Sequence, residues 1–500
     1  MRRILPESAG VVSGDRGLFP VDGLSPLELS PEEFRRLGHQ LVDALADHYR
    51  ALPGLPVTPR TSAADLTALL SEPAPDQPGD PDALLQRVLA DIYTNSRHNG
   101  HPGFFGYVAS PGTPTTALGD LLISALNTNV TGWRSAPAGV TIEQTVIDWI
   151  RTWTGMPPTT SGLFVSGGSM ANFAGLAAAR GAMFPDVREQ GLAGRRARIY
   201  ASSEVHLSIP KAAAMLGLGT DSVRFLPCDG RMRLDPAALD QAIREDKAAG
   251  IYPMCVVASA GTAGTGAVDP LAAIGEIARR HETWFHIDAS YGGFAVLAPS
   301  VHHYFEGMET ADSISLDPHK WLYLPLDCGC VLYRDPAIAA RAFAYQAEYT
   351  RAVGLQGAEA FACWDYGPEL SRRFRALNVW LQVQTAGLDA IREAIDQNIA
   401  RARYVEQLIH TSDDFEMLCP VELSIFCFRY HPPGYTGDLD ALNQRILARV
   451  QKSGRSYVSN ASVHGKFALR GCVLNYRTRE EHMRLLLADI RETAKEIQQE

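Results

Sequence analysis

The chain has 500 residues, of which 46% are hydrophobic and 20% charged, and its formal net charge is −10. That length exceeds one simple core and predicts two or three domains or a large α/β unit. The acidic balance, with no basic block, argues against nucleic acid and anionic membrane as partners. Met1-Arg-Arg-Ile4 is not followed by an apolar leader, and no run approaches membrane-spanning length, so a cytoplasmic protein is expected. The eight cysteines lie mostly in apolar runs, and Cys328-Gly-Cys330 lacks the spacing of a zinc knuckle. They read as reduced core thiols, with no metal site.

Residues 1–29 are rich in Gly and Pro. Ser30-Pro-Glu-Glu33 is a capping box, and Phe34, Leu37, Leu41, Val42 and Leu45 follow at helical spacing. Pro-rich connectors (53–60 and 73–81) flank a short helix around Leu66–Leu70, and Asp82 is a candidate cap for a helix striped by Leu85, Val88, Leu89 and Ile92. Three helices without a sheet enclose little core, so this segment is expected to pack on something else, such as a second subunit.

From about residue 100 the loops become glycine- and aromatic-rich (His101–Tyr107, then Ser110–Thr115), which suits turns or ligand walls. Helices are expected over 115–125, through Ile142–Ile150, and from the Gly162–Asn172 turn to Arg180. Strands near 197–201, 223–227, 253–259, 283–288, 312–316 and 329–333 then alternate with helices near 207–216, 235–249 and 270–281. Such alternation predicts a mainly parallel sheet covered on both faces. The irregular segment 334–375 is long for a loop, which usually signals function. One helix is expected over 376–410, then strands (415–419, 424–429, 466–475) and helices (437–451, 479–497) of a small α+β domain.

Three stretches could carry chemistry. Asp312-Ser-Ile-Ser-Leu-Asp-Pro-His-Lys-Trp321 is a short strand ending at Lys320, which reads equally as a lysine snorkelling over Trp321 or as an amine that forms a Schiff base with a carbonyl. Gly167-Gly-Ser-Met-Ala-Asn172 joins a strand to a helix and reads as a tight turn or a phosphate cradle. Asp288 ends the apolar strand of His286-Ile-Asp-Ala-Ser290, as a structural ion pair, a cap, or an acid that keeps a ring nitrogen protonated. Together, the turn, the acid and the amine are the three handles that pyridoxal phosphate requires.

These residues resemble the group II pyridoxal-phosphate-dependent amino acid decarboxylases, in particular the aromatic-L-amino-acid decarboxylases. Asp317-Pro-His-Lys320 is similar to the family's Asn/Asp-Pro-His-Lys signature, which implies that Lys320 carries the cofactor's aldehyde as a Schiff base. The resemblance further implies that Asp288 binds the pyridinium nitrogen, Ser290 lies beneath the ring, and His206 stacks on its other face. Ser169 and Met170 match the phosphate turn, with Asp317 and His319 near the same phosphate. Segment 334–375 resembles the catalytic loop, and Tyr349 stands where decarboxylases carry the tyrosine that returns a proton after CO2 leaves; His206 is the alternative donor. Leu370-Ser-Arg-Arg-Phe-Arg375 is similar to the motif after that loop, with Ser371 where glycine is frequent. Ala263, in Gly261–Gly266, departs from a common threonine and leaves open one contact to the cofactor's ring oxygen.

The resemblance implies an α/β protein of fold-type I, aspartate aminotransferase-like, with a mainly parallel central sheet. Its expected domains are an N-terminal helical segment (1–100) clasping the partner of a homodimer, a large cofactor domain (101–390) and a small C-terminal α+β domain (391–500). Tyr107, Val108 and Ser110 match positions lining the aromatic pocket; Trp133 lies on the neighbouring loop and Thr131 stands where an aromatic wall can occur. These favour decarboxylation of an aromatic L-amino acid (tyrosine, tryptophan, phenylalanine or DOPA type) to the amine and CO2. Asn127-Thr-Asn129 resembles glutamate and cysteine-sulfinate decarboxylases, so an acidic amino acid or diaminobutyrate is the alternative, with Arg134 as the arginine to watch. Other pyridoxal-phosphate lyases, an aldehyde synthase, and a scaffold without cofactor are the remaining readings.

Overall fold

The computed structural model describes residues 27–345 and 356–500, and these divide into two compact units. The first comprises the described residues up to Leu55 together with Thr61–Ser96. Its helices are Pro31–Ala51, Ala63–Leu70 and Pro81–Arg87, the last continued by a π-helical stretch Val88–Tyr93. Ser30 caps the first by accepting from the Glu33 N–H (3.1 Å), as the capping box predicts. The third is capped by Asp80, which accepts from the Ala83 N–H (3.1 Å), and not by Asp82. Asp82 instead pairs with Arg36 on the first helix (2.6 and 2.8 Å), so the carboxylate two residues earlier is the one free to cap. None of these helices fully buries a residue, and Phe34, Val42, Leu84, Val88 and Ile92 are all exposed.

The second unit, Pro56–Arg60 with Arg97–Glu500, is built on a seven-stranded sheet. In chain order its strands are β1 (Ser161–Val165), β2 (Ala197–Ser202), β3 (Val223–Leu226), β4 (Tyr252–Ser259), β5 (Trp284–Ala289), β6 (Ser313–Leu316) and β7 (Gly329–Tyr333). They lie side by side as β1-β7-β6-β5-β4-β2-β3, and only β7 runs against the rest. All six strands expected after the glycine turn are present. The central strands are buried on both faces and read as continuous apolar runs, as a covered parallel sheet requires. One face packs Leu163, Val165, Ile199, Val257 and Val331 with the Ala-rich helix Gly168–Met183; the other packs Phe164, Tyr200, Val256, Ile287 and Ile314 with the helices Pro137–Trp153, Pro236–Ala248 and Leu271–Arg280.

The helix expected over 376–410 is two helices, Arg375–Ala386 and Leu388–His410, broken at Gly387, whose φ of 77° suits glycine. Beyond it, β8 (Phe415–Met417), β9 (Ile425–Tyr430), β10 (Ser459–Val463) and β11 (Lys466–Cys472) form an antiparallel sheet in the order β10-β11-β9-β8. The helices Leu439–Ser453 and Glu480–Gln498 pack on it. The polar strand β10 was not among the expected elements. Among the described residues, no helix is long and apolar enough to cross a membrane.

Candidate active site

A parallel sheet gathers the carboxyl ends of its strands on one edge, which is where open α/β sheets hold ligands. Here that edge opens into a cavity of about 750 Å³. Asp288 and Ser290 reach it from the end of β5, Asp317, His319 and Lys320 from the turn after β6, Glu204 and His206 from the loop after β2, and Gly261–Gly264 from the loop after β4. Gly167, Gly168, Ser169 and Met170 contribute from the turn after β1, while Ser459–Ser462 and Arg470 come from β10 and β11.

Asp288 is buried among donors. Its Oδ2 accepts from Asn172 Nδ2 (2.9 Å), and its Oδ1 accepts from the Ser290 N–H and Ser315 Oγ (3.1 Å each). Burial works to raise its pKa, but the Ser290 hydrogen bond, the nearby His206 and the Asn172 amide carry it below the ordinary carboxylate value. An ionised acid that keeps one face toward a cavity can hold a ring N–H. Lys320 Nζ lies 2.8 Å from Asp317 Oδ2, while the buried Oδ1 of Asp317 has no partner among the described residues. His319 donates from Nδ1 to the Cys328 carbonyl (2.7 Å), and burial, with Lys320 adding to it, holds this imidazole below its usual pKa.

The glycine turn is shaped for something to sit against it. The helix's own hydrogen bonding begins with Met170 and Ala171, whose N–H groups both reach Gly167 O (2.9 and 3.0 Å), so the amides just before them are available to an anion. A Cβ on Gly168 would stand 2.3 Å from Ser290 Oγ and 2.9 Å from Asp317 Oδ2. One on Gly329, at the start of β7, would fall 2.4 Å from the Gly167 Cα. Backbone cannot swing aside as a flexible side chain can. Gly329→Ala is therefore expected to cost about 1–3 kcal/mol by overpacking, and to loosen retention of an anion at the turn, read by thermal unfolding and by dialysis. A variant as stable and retentive as the wild type would show that the turn tolerates displacement.

The donor set fits pyridoxal phosphate: an anion cradle, a buried ionised acid and a primary amine share one cavity. His206, Ser290 and Ser169 line it as well, with Tyr107 and Val108 at its mouth. Ser110 lies just behind, its Oγ donating to the His319 carbonyl (2.8 Å). Thr131 and Trp133 are not brought to this cavity: the Thr131 hydroxyl donates to the Leu370 carbonyl (2.6 Å) and the Trp133 N–H to the Phe361 carbonyl (3.1 Å). Tyr349 lies outside the described residues.

The family model described as the pyridoxal-dependent decarboxylase conserved domain matches residues 64–431. The chain belongs to the pyridoxal-dependent decarboxylases. Over 475 residues it is 34% identical to an aromatic-L-amino-acid decarboxylase of Bacillus atrophaeus, covering 94% of this chain and 97% of that protein. Tyrosine decarboxylase 4 of Petroselinum crispum is 33% identical, with 88% and 89% covered. A crystal structure of Oryza sativa TDC with PLP and tryptamine superposes with a TM-score of 0.89 at 30% identity, covering 95% of this chain and all (100%) of that one. The protein is a pyridoxal-phosphate-dependent carboxy-lyase of fold-type I.

For this decarboxylase, sequence reasoning missed Asn172, Glu204 and Arg470. The Arg470 guanidinium, buried on β11, donates to the carbonyls of Ala263 (2.7 Å), Gly264 (3.0 Å) and Tyr107 (2.8 Å). A charged residue inside the apolar run Phe467-Ala-Leu-Arg-Gly-Cys472 is the same signal that exposed Asp288. Tyr107, whose carbonyl Arg470 grips, has a φ of 55°, in the left-handed region that side chains rarely adopt. Its hydroxyl meets that of Tyr457 (3.0 Å), and the Arg97 guanidinium lies 5.1 Å from its ring centre.

Proposed function

We propose that this enzyme decarboxylates an aromatic L-amino acid to the corresponding amine. In this reading Lys320 holds the cofactor's aldehyde, Asp288 faces its ring nitrogen, Ser169 and Met170 with Asp317 and His319 surround its phosphate, and His206 and Ser290 flank its ring. When bound, pyridoxal phosphate supplies the electron sink that lets the bond to the carboxylate break. The chain's own part is to keep the nitrogen protonated through Asp288, to orient the substrate, and to return a proton from Tyr349, or from His206, to the carbon that loses CO2.

The observation that carries the aromatic reading is the commitment of Arg470, the one arginine lining the cavity among the described residues. Its N–H groups are occupied by three carbonyls and Ser459 Oγ (3.2 Å), which leaves little for a second substrate carboxylate. Glu204, lining the same cavity, would repel such a group. Arg134 is not among the lining residues. The aromatic, tyrosine and tryptamine-bound relatives support the same substrate class.

The test is one incubation of the loaded enzyme with a panel of amino acids, following CO2 and products by mass spectrometry. Tyramine-, tryptamine- or phenethylamine-type products are expected. GABA, hypotaurine or a diamine would overturn the substrate class, and aldehyde with ammonia and peroxide would overturn the proton-return step.

A homodimer completes this proposal. The helix Pro114–Leu126 leaves Leu118, Leu121, Leu122 and Leu126 exposed on one face, which a soluble monomer rarely tolerates. In this reading the 1–100 segment clasps the second copy, residues 101–390 hold the cofactor and 391–500 close over it, and Thr131 and Trp133 serve the site from across the interface. Replacing Leu118 and Leu122 by glutamate is expected to raise the dissociation constant of the dimer at least about 100-fold, read by sedimentation. An unchanged dimer would place the contact elsewhere. A cytoplasmic location is supported by the eight cysteines, all of them free thiols.

A further inference from the structure

Behind the cavity, five buried side chains form one continuous hydrogen-bonded line. Trp284 and His286 are on β5, Ser313 on β6, Asn172 on the helix Gly168–Met183, and Ser208 on the helix Ser208–Met215. All five are at most 5% exposed, and they join Asp288 to His206. The distances are short throughout: Trp284 Nε1 to Ser313 Oγ 2.9 Å, Ser313 Oγ to His286 Nδ1 2.8 Å, and His286 Nε2 to Asn172 Oδ1 2.9 Å. From Asn172 Nδ2 the line forks, to Asp288 Oδ2 at 2.9 Å and to Ser208 Oγ at 2.8 Å; Ser208 Oγ then reaches His206 Nδ1 at 2.8 Å.

Most of these groups can donate or accept, so geometry alone leaves the direction of each bond open. The tryptophan at one end cannot accept. An indole N–H only donates, so Ser313 Oγ accepts from Trp284 and has a single proton left, which goes to His286 Nδ1. His286 is fully buried, and that burial pushes its pKa down to about 4, so at neutral pH the ring is uncharged and its one proton sits on Nε2. Asn172 must then present its carbonyl to His286, which turns both amide protons toward Asp288 and Ser208. Ser208 accepts one of them and passes its own proton to His206 Nδ1, where its backbone N–H also points (3.2 Å). Gly175 is part of the construction, since a Cβ there would stand 2.6 Å from His286 Cε1 and 3.3 Å from Ser313 Oγ.

We infer that Trp284, Ser313, His286 and Asn172 are positioning residues whose one-way hydrogen bonding aims two donors at once: the Asn172 amide at Asp288, and through Ser208 the proton of His206 onto Nε2. The line transfers no proton. It fixes which nitrogen of the His206 ring accepts and which is left to donate, and which way the Asp288 carboxylate faces. An Asn172 amide turned the other way would set a carbonyl against the Asp288 carboxylate. The inference rests on the cofactor role given to Asp288 and His206 above.

The test is the ring tautomer of His206 in loaded enzyme labelled with 15N-histidine, its signals assigned by their loss in His206→Gln. The expected wild-type spectrum shows a protonated Nε2 and an unprotonated Nδ1. Trp284→Phe and Ser313→Ala should each lose this single pattern as the Nδ1–H form gains population, and Ser313→Ala should retain the cofactor about tenfold less tightly, the scale on which outer partners act on ligands they orient. A wild-type ring protonated on Nδ1 would overturn the inference. So would a Ser313→Ala enzyme, a variant that removes only a hydroxyl, with an unchanged His206 spectrum and unchanged cofactor affinity. A protein that releases no CO2 yet shows the expected tautomer would sink the proposed function and leave this inference standing.

Discussion

The Lys320→Ala enzyme should release CO2 from an aromatic amino acid about 10⁴- to 10⁶-fold more slowly than the wild type, the loss seen when a residue that bonds covalently is removed from a catalytic unit. Among the described residues Lys320 is the one lysine that lines the cavity, so none of them offers a second primary amine to take its place. The loaded variant should also lose the visible absorption of a protein-bound Schiff base. Its fold should survive with reduced stability: among the described residues Asp317 would lose the ammonium at its Oδ2 and keep only the imidazole of His319, Nε2 at 3.7 Å, a loss worth about 1–3 kcal/mol at a buried charged group. Single-turnover rates and absorption spectra decide the matter. A variant within a hundredfold of the wild type would remove Lys320 from its proposed role.

The second large effect is structural and lies behind the cavity. Arg372 is fully buried, and its guanidinium donates to Glu143 Oε1 (2.5 Å), the Val130 carbonyl (2.6 Å) and the Phe164 carbonyl (2.7 Å). Glu143 Oε1 also accepts from the Phe164 N–H (3.0 Å). One ion pair thus ties the helix Pro137–Trp153, β1 and the chain at Arg372 into a single joint, one residue before the end of the strand that leads to the glycine turn. Arg372→Met is expected to cost about 3–5 kcal/mol, because it leaves a buried carboxylate without its cation. Arg372→Met with Glu143→Leu should recover most of that loss, since removing both charges leaves no unpaired ion. Denaturant unfolding of the three proteins checks this. A single variant within about 1 kcal/mol of the wild type, a difference typical of an exposed pair, would show that the Arg372–Glu143 pair does not hold this joint.

Much of this site was legible because each of its main residues breaks a pattern. Asp288 and Lys320 are charged residues at the ends of apolar strands, and paired glycines interrupt the strand-to-helix step at Gly167. Apolar runs of strand length, alternating with amphipathic helices, carried the parallel sheet in the same way. What escaped was whatever depends on partners distant in the chain. Asn172 reads as the tail of a glycine turn, and only the folded neighbours His286 and Ser208 give its amide a direction. Strand β10, Ser459-Asn-Ala-Ser-Val463, is polar with low strand propensity; it is extended because β11 pairs along its whole length. The break at Gly387 hid within a helical stripe that continues on both sides of it, and the cap of the helix Pro81–Arg87 shifted to Asp80 because a long-range pairing had already engaged Asp82.

The backbone of Tyr107 has one more implication. A left-handed conformation costs a residue with a side chain about 1–2 kcal/mol, and here Arg470, Tyr457 and Arg97 offset that cost while the chain folds. The aromatic ring at the mouth of the cavity is therefore already in place when an amino acid arrives. A guest need not order this ring, so the entropy of fixing it falls on folding and not on association.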